Sequence, residues 1–104
     1  TIRGAVGNWS KTLSIELGSF GITVTNVLPG FTETERLNEI IKIKAIGAGT
    51  SVEEMTEIMK NYSPSKRFAK PQETASVITF LTSEAASYVN GINVPVDGGR
   101  TKSL

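Results

Sequence analysis

The order of two β-rich runs constrains this chain more than any other feature. Residues 22–28 (ITVTNVL) and 92–96 (INVPV) are dense in β-branched side chains, and the residues between them are patterned as helix and connector. Branching at Cβ restricts the side chain in a helix and suits the pleated surface of a sheet. Two strands joined through a helix lie parallel and cross over right-handedly. A parallel sheet has to be covered on both faces, and two strands with their own helices cannot do that. The class is therefore α/β, and most of the sheet is expected from elsewhere: chain before Thr1, or a second copy. The first residue is Thr1 rather than methionine, which fits chain upstream.

Residues 1–17 read as a helix, with Val6, Trp9, Leu13 and Leu17 at helical spacing beside Ala5. Gly18 can end it, and Gly21 gives a second joint. The first strand closes on Pro29-Gly30. Leu37, Ile40, Ile41 and Lys44 then fall on one helix, and Met55, Ile58 and Met59 on another, opened by a capping box of Ser51 and Glu54. Gly47 and Gly49 are expected to separate the two. Residues 64–70 connect. Pro71 suits the first position of a helix carrying Ala75, Ile78, Phe80 and Leu81. Gly91 opens the last strand, where Pro95 cannot donate to a ladder and so belongs at a sheet edge. Asp97-Gly98-Gly99 reads as a turn.

Composition removes several classes of function. The chain has 104 residues, enough for one small domain, and a net charge of +1 that argues for neither nucleic acid nor an anionic membrane as partner. No apolar run approaches the roughly 20 residues that span a bilayer. Cysteine and histidine are absent, which excludes thiol catalysis, Ser-His-Asp chemistry and the usual zinc sites within these residues, so no metal is expected. Without disulfides the chain suits a reducing compartment, and the expected location is cytoplasmic.

Three segments resemble the C-terminal half of classical short-chain dehydrogenases/reductases. The first is RGAV at residues 3–6 with SKTLSIEL at 10–17, similar to the family helix that follows its catalytic tyrosine. The second is ITVTNVLPGFTET at 22–34, similar to the strand and Pro-Gly loop over the nicotinamide. The third is RFAKPQETASVITFLTSEAASYVNGINVPVDGG at 67–99, similar to the last helix and strand. The ordered set, closing on SYVNG and VPVDGG, is what makes the resemblance specific. It implies a doubly wound parallel sheet of the Rossmann type with a dinucleotide across its switch point, residues 1–104 being the C-terminal portion of that single domain. Residues 35–66 fall outside the three segments and would form a helical insert, a lid over the substrate cleft. Its apolar residues are expected mainly to pack the lid, with Gly47 and Gly49 as hinges.

The family's catalytic pair is Tyr-x-x-x-Lys, one helical turn apart on a shared face. The tyrosine moves the substrate proton, and the lysine lowers the tyrosine pKa and binds the nicotinamide ribose. By the resemblance, Arg3 stands at the lysine position and the tyrosine position lies before Thr1. Arginine keeps the charge and can donate to ribose hydroxyls, although its planar fork differs in shape from an ammonium. The resemblance also implies cofactor contacts for Pro29, Gly30, Phe31, Thr32 and Thr34. The Thr32 backbone would meet the nicotinamide carboxamide, the Thr34 hydroxyl the carboxamide or pyrophosphate. Thr32 and Thr34 also read as helix caps, and the two roles are compatible. Thr25 stands where the family usually has asparagine. Moving Asn26 into that place would flip the strand's faces, so both residues are expected to be structural. The same is expected of Asp97-Gly98-Gly99.

The function implied is hydride transfer between NAD or NADP and a small-molecule carbonyl or alcohol. A homodimer or homotetramer is expected, with the final helix and edge strand in one interface. The alternative is a non-catalytic fragment or pseudoenzyme that only assembles. It is favoured by the position of the tyrosine outside these residues, the lack of a Gly-rich phosphate loop and the presence of Arg3. Under the enzyme reading, these residues alone are expected to be inactive and to bind no dinucleotide tightly, because the helix N-terminus that would hold the pyrophosphate is not among them.

Overall fold

A computed structural model describes residues 2–102 of the chain. The order is α1 (Ile2–Leu17), β1 (Asn26–Pro29), α2 (Glu35–Ala48), α3 (Val52–Lys60), α4 (Pro71–Leu81) and β2 (Asn93–Val96), with 3₁₀ turns at Gly18–Phe20 and Glu84–Ala86. β1 and β2 pair in a two-stranded sheet. They run in the same direction: Asn26 N donates to Ile92 O at 3.0 Å, and Gly30 N to Val96 O at 2.9 Å. The helical crossover thus joins parallel strands, as the order of the β-rich runs requires.

The first strand is shorter than its β-branched run and shifted towards the loop. Residues 22–25 stay outside β1. Val24 O does accept from Gly91 N at 2.9 Å, but Val24 N donates to the side-chain oxygen of Asn90 at 2.8 Å instead of to a ladder carbonyl. Strand propensity yields where no partner backbone is available.

The described residues form two compact units, one of residues 2–28 and 75–94, the other of 29–74 and 95–102. In the first unit the buried residues are Ser10, Ser14 and Ala86. Ser10 Oγ donates to Gly7 O at 2.8 Å and accepts from Asn26 Nδ2 at 2.7 Å. The Asn26 amide nitrogen also reaches Asn93 Oδ1 at 2.9 Å. Asn90 Nδ2 donates to Ser14 O at 3.2 Å, and Lys11 Nζ to Gly91 O at 3.1 Å. Gly91 has φ 68°, and a Cβ there would come within 2.8 Å of Lys11 Nζ and Ser14 Oγ. The face that α1 buries is therefore one of small polar residues. The apolar stripe that marks it as a helix is not covered: Trp9 is 63% exposed, Val6 is exposed, and Leu13 and Leu17 are half-buried. Two strands lack the layers that would take that stripe out of water.

The second unit holds the apolar core. Leu37, Ile41 and Ala45 of α2 lie at four-residue intervals and pack with Met55 and Met59 of α3 and with Phe68. Met59 is 1% exposed, while Ile58 and Ile46 stay exposed. Local signals set the helix ends. Thr34 Oγ1 accepts from Leu37 N at 3.2 Å, and Ser51 Oγ from Glu54 N at 3.1 Å. Gly49, at φ 68°, closes α2 in the left-handed conformation. Gly47 lies inside α2, so of the two glycines expected to part the helices, Gly49 alone does so.

Asn90→Ala, made in the full-length protein, removes both the acceptor for Val24 N and the donor to Ser14 O. The expected loss is about 1–3 kcal/mol, the cost of leaving such partly buried groups unpaired. Asn61→Ala, which removes one exposed hydrogen bond to Glu57 O, should cost less. Denaturant unfolding of both variants checks this, and an unaltered midpoint for Asn90→Ala contradicts it.

Candidate functional site

The loop Pro29–Thr34 leaves the carboxyl end of β1, where open parallel sheets bind their ligands. A Cβ on Gly30 would stand 2.9 Å from both Cα and Cβ of Asp97. The glycine is thus required by a neighbouring strand end within the chain, a reason that sequence reading had assigned to the cofactor. Phe31 O accepts from Ala69 N at 2.9 Å and Glu33 N donates to Ala69 O at 2.8 Å, closing a parallel bridge between Thr32 and Ala69. Thr32 Oγ1 turns back to Gly30 O at 3.0 Å. Among the described residues the N–H groups of Phe31, Thr32 and Thr34 enter none of these bonds, so the loop keeps three backbone donors unspent, that of Thr32 at its middle. Thr34 caps α2 as an acceptor, and its hydroxyl hydrogen remains able to donate.

The Phe31 ring faces its own unit. It lies edge-on to Phe68 with centroids 6.2 Å apart, and tilted against Tyr62 at 6.2 Å. The guanidinium of Arg100 sits 4.6 Å from the Phe31 centroid. Phe31 and Phe68, with Met59, Ser63 and Asp97, border a small cavity of about 120 Å³. Arg3 belongs to the other unit, exposed in the first turn of α1, and makes no ion pair among the described residues. Of the residues expected to touch a cofactor, Pro29, Gly30, Phe31, Thr32 and Thr34 lie in one loop, and Arg3 does not.

Sequence reading missed three features around this loop. Ser63 Oγ donates to Asp97 O and Gly98 O, and Ser65 Oγ to Gly98 O at 3.0 Å, so the Asp97-Gly98-Gly99 turn docks on the connector after α3. The Asp97 carboxyl is held below its ordinary value, first by the Thr101 hydroxyl and then by the amides of Thr101, Gly99 and Arg100. Arg67 donates to both oxygens of Glu73 at 2.6 and 2.9 Å, and Lys70 N donates to Glu73 Oε1 at 2.9 Å. The guanidinium hydrogen bonds, then the Lys70 amide, hold the Glu73 carboxyl down at about 2 against an ordinary 4.5. Glu73 three residues after Lys70, ahead of a helix, is the one local signal that could have flagged this pair. Among the described residues no group of acidic, histidine or cysteine side chains could hold a metal ion, and no helix is long and apolar enough to cross a membrane.

A family model described as Enoyl-(Acyl carrier protein) reductase matches residues 1–101. The chain is 35% identical over 103 residues to the NADPH-dependent reductase BacG of Bacillus subtilis, covering 99% of this chain and 40% of that protein. It is 37% identical over 101 residues to cyclohexanol dehydrogenase of Rhodococcus sp., covering 97% of this chain and 34% of the relative. A crystal structure of a short chain dehydrogenase family protein from Francisella tularensis superposes with a TM-score of 0.89 at 32% identity, over 96% of this chain and 41% of that one. The chain thus spans about two fifths of the length of the proteins it matches.

The Arg67–Glu73 pair gives a testable pH dependence. Glu73 has a folded pKa below its unfolded one, so its contribution is fully present above about 4.5 and is lost as pH falls towards about 2. The pair is exposed, so the contribution is small and screened by salt. The stability gap between wild type and Glu73→Gln is expected to be constant above about pH 4.5 and to close below it. Unfolding midpoints across that range test this, and a gap independent of pH contradicts it.

Proposed function

The chain belongs to the short-chain dehydrogenase/reductase family, and on that premise we propose that it is the C-terminal portion of an NAD(P)-dependent oxidoreductase interconverting a carbonyl and an alcohol. One conjunction carries the reading. A family match runs over residues 1–101, and the loop at the end of its parallel strand keeps the Thr32 amide unspent.

The donors of that loop suit a nicotinamide carboxamide, which has both an acceptor oxygen and a donor NH₂. The Thr32 N–H donates to the carboxamide oxygen, while Thr34 caps α2 and turns its hydroxyl hydrogen to the carboxamide or pyrophosphate. Pro29 and Gly30 hold the loop against the strand end, through Gly30 N on Val96 O. Phe31, packed on Phe68, fixes the backbone that leads into Thr32. NAD(P)H, when bound, supplies the hydride. Arg3, at the family lysine position, binds the ribose hydroxyls and lowers the pKa of a tyrosine contributed from before Thr1. Residues 35–66 act as the helical lid over a small-molecule carbonyl or alcohol. Phe80 and Ile92, exposed on the last helix and just before the edge strand, are placed to be covered in a homodimer or homotetramer.

The test is turnover of NADPH and NADH by the full-length protein against a panel of ketones and alcohols. Arg3→Ala is expected to lower kcat by more than about tenfold, on the scale of positioned acid–base groups, while Arg3→Lys retains or improves it. Wild-type turnover in Arg3→Ala removes Arg3 from the chemistry. No binding of either dinucleotide by the wild type favours the alternative, a non-catalytic protein that only assembles.

A further inference from the structure

Beyond β2 the chain turns through Gly98 and Gly99 at φ 63° and 91°. The Asp97 carboxylate accepts from Gly99 N at 3.0 Å and Thr101 N at 2.9 Å, and also from the Thr101 hydroxyl. Those groups occupy it, and the neighbouring Arg100 makes no ion pair among the described residues. Its guanidinium lies instead over two ring faces, 4.6 Å from the Phe31 centroid and 5.5 Å from that of Tyr62. Ser63 and Ser65 hold the far side of the turn through Gly98 O. The backbone of the turn is thereby tied to the connector after α3, while its cation presses on the loop after β1. Phe31 immediately precedes Thr32, whose amide is unspent.

We infer that Arg100 is a positioning residue for dinucleotide binding: its guanidinium, stacked on Phe31 and Tyr62, holds the Phe31–Thr32 backbone ready for the nicotinamide end of the cofactor. The inference rests on the cofactor reading of the loop given above. Arg100 acts through Phe31 and touches no reacting atom. Its effect is on binding, because a loop held in its bound conformation loses less conformational freedom when the ligand arrives. A cation attracts the ring face electrostatically, and a neutral side chain of equal length does not.

The experiment compares wild type, Arg100→Met and Arg100→Lys in the full-length protein. NADPH and NADH affinities are titrated, KM for the cofactor and kcat are separated, and thermal melting is followed alongside. Arg100→Met keeps an unbranched apolar stem but loses the cation. It is expected to raise the Kd and cofactor KM by about two- to fivefold, the scale of an exposed cation–ring contact, with kcat at saturating cofactor within about twofold of wild type. Arg100→Lys should recover most of the affinity. Phe31→Leu should give a similar rise, and adding Arg100→Met to it should bring little further loss.

Unchanged affinity in Arg100→Met overturns the inference alone. So does an equal loss in the Met and Lys variants, which would mean packing rather than charge. A fall in kcat with Kd unchanged, or additive losses in the double variant, also overturn it. Failure of the wild type to bind either dinucleotide overturns the cofactor reading and this inference with it.

Discussion

A parallel pair of strands presents two faces, and each face needs a helical layer to take its side chains out of water. β1 and β2 are such a pair, and the burial in this chain follows from how that need is met. In residues 2–28 and 75–94 it is met by polar side chains: Ser10, Ser14, Asn26 and Asn90 bridge helix and strand, while Val6, Trp9, Phe20 and Ile78 stay open to solvent. In residues 29–74 and 95–102 the helices α2 and α3 bury Leu37, Ile41, Met55 and Met59 against one another. The first pattern leaves an apolar stripe that nothing among the described residues covers. The second is an apolar core that α2, α3 and Phe68 close among themselves. Relatives more than twice as long supply the scale on which a full doubly wound sheet would be built.

Features set by local chemistry were legible in the sequence. Thr34 and Ser51 cap helices because a short oxygen-bearing side chain meets an unsatisfied amide three residues on, and Gly49 ends α2 because glycine alone enters φ 68° without strain. The parallel crossover followed from the order of the β-rich runs. What the sequence did not reveal depends on partners far along the chain. Residues 22–25 have strand composition, yet Val24 N is taken by an asparagine 66 residues away. The apolar stripe of α1 marked its helicity and not its buried face, which is that of Ser10 and Ser14, the latter at the close approach of Gly91.

The site divides in the same way. The Pro29–Thr34 loop could be read from its resemblance and its place after a strand. The reasons for individual residues could not. Gly30 is required by Asp97, which is 67 positions on and close only because the strands are parallel. The Phe31 ring turns into its own unit to meet Phe68 and Arg100, a grouping invisible to spacing rules. Asp97-Gly98-Gly99, which suggests only a turn as a sequence, is the anchor that sets Arg100 over that ring.

The central claim is that the Thr32 amide, left unspent by the fold, is the donor that receives the nicotinamide. Amide hydrogen exchange, resolved at single residues in the full-length protein with and without saturating NADPH or NADH, measures this directly. The account predicts slowed exchange at Thr32 on binding, with the amide of Gly30, already bonded to Val96 O, little altered. Dinucleotide binding that leaves Thr32 exchange unchanged would contradict it.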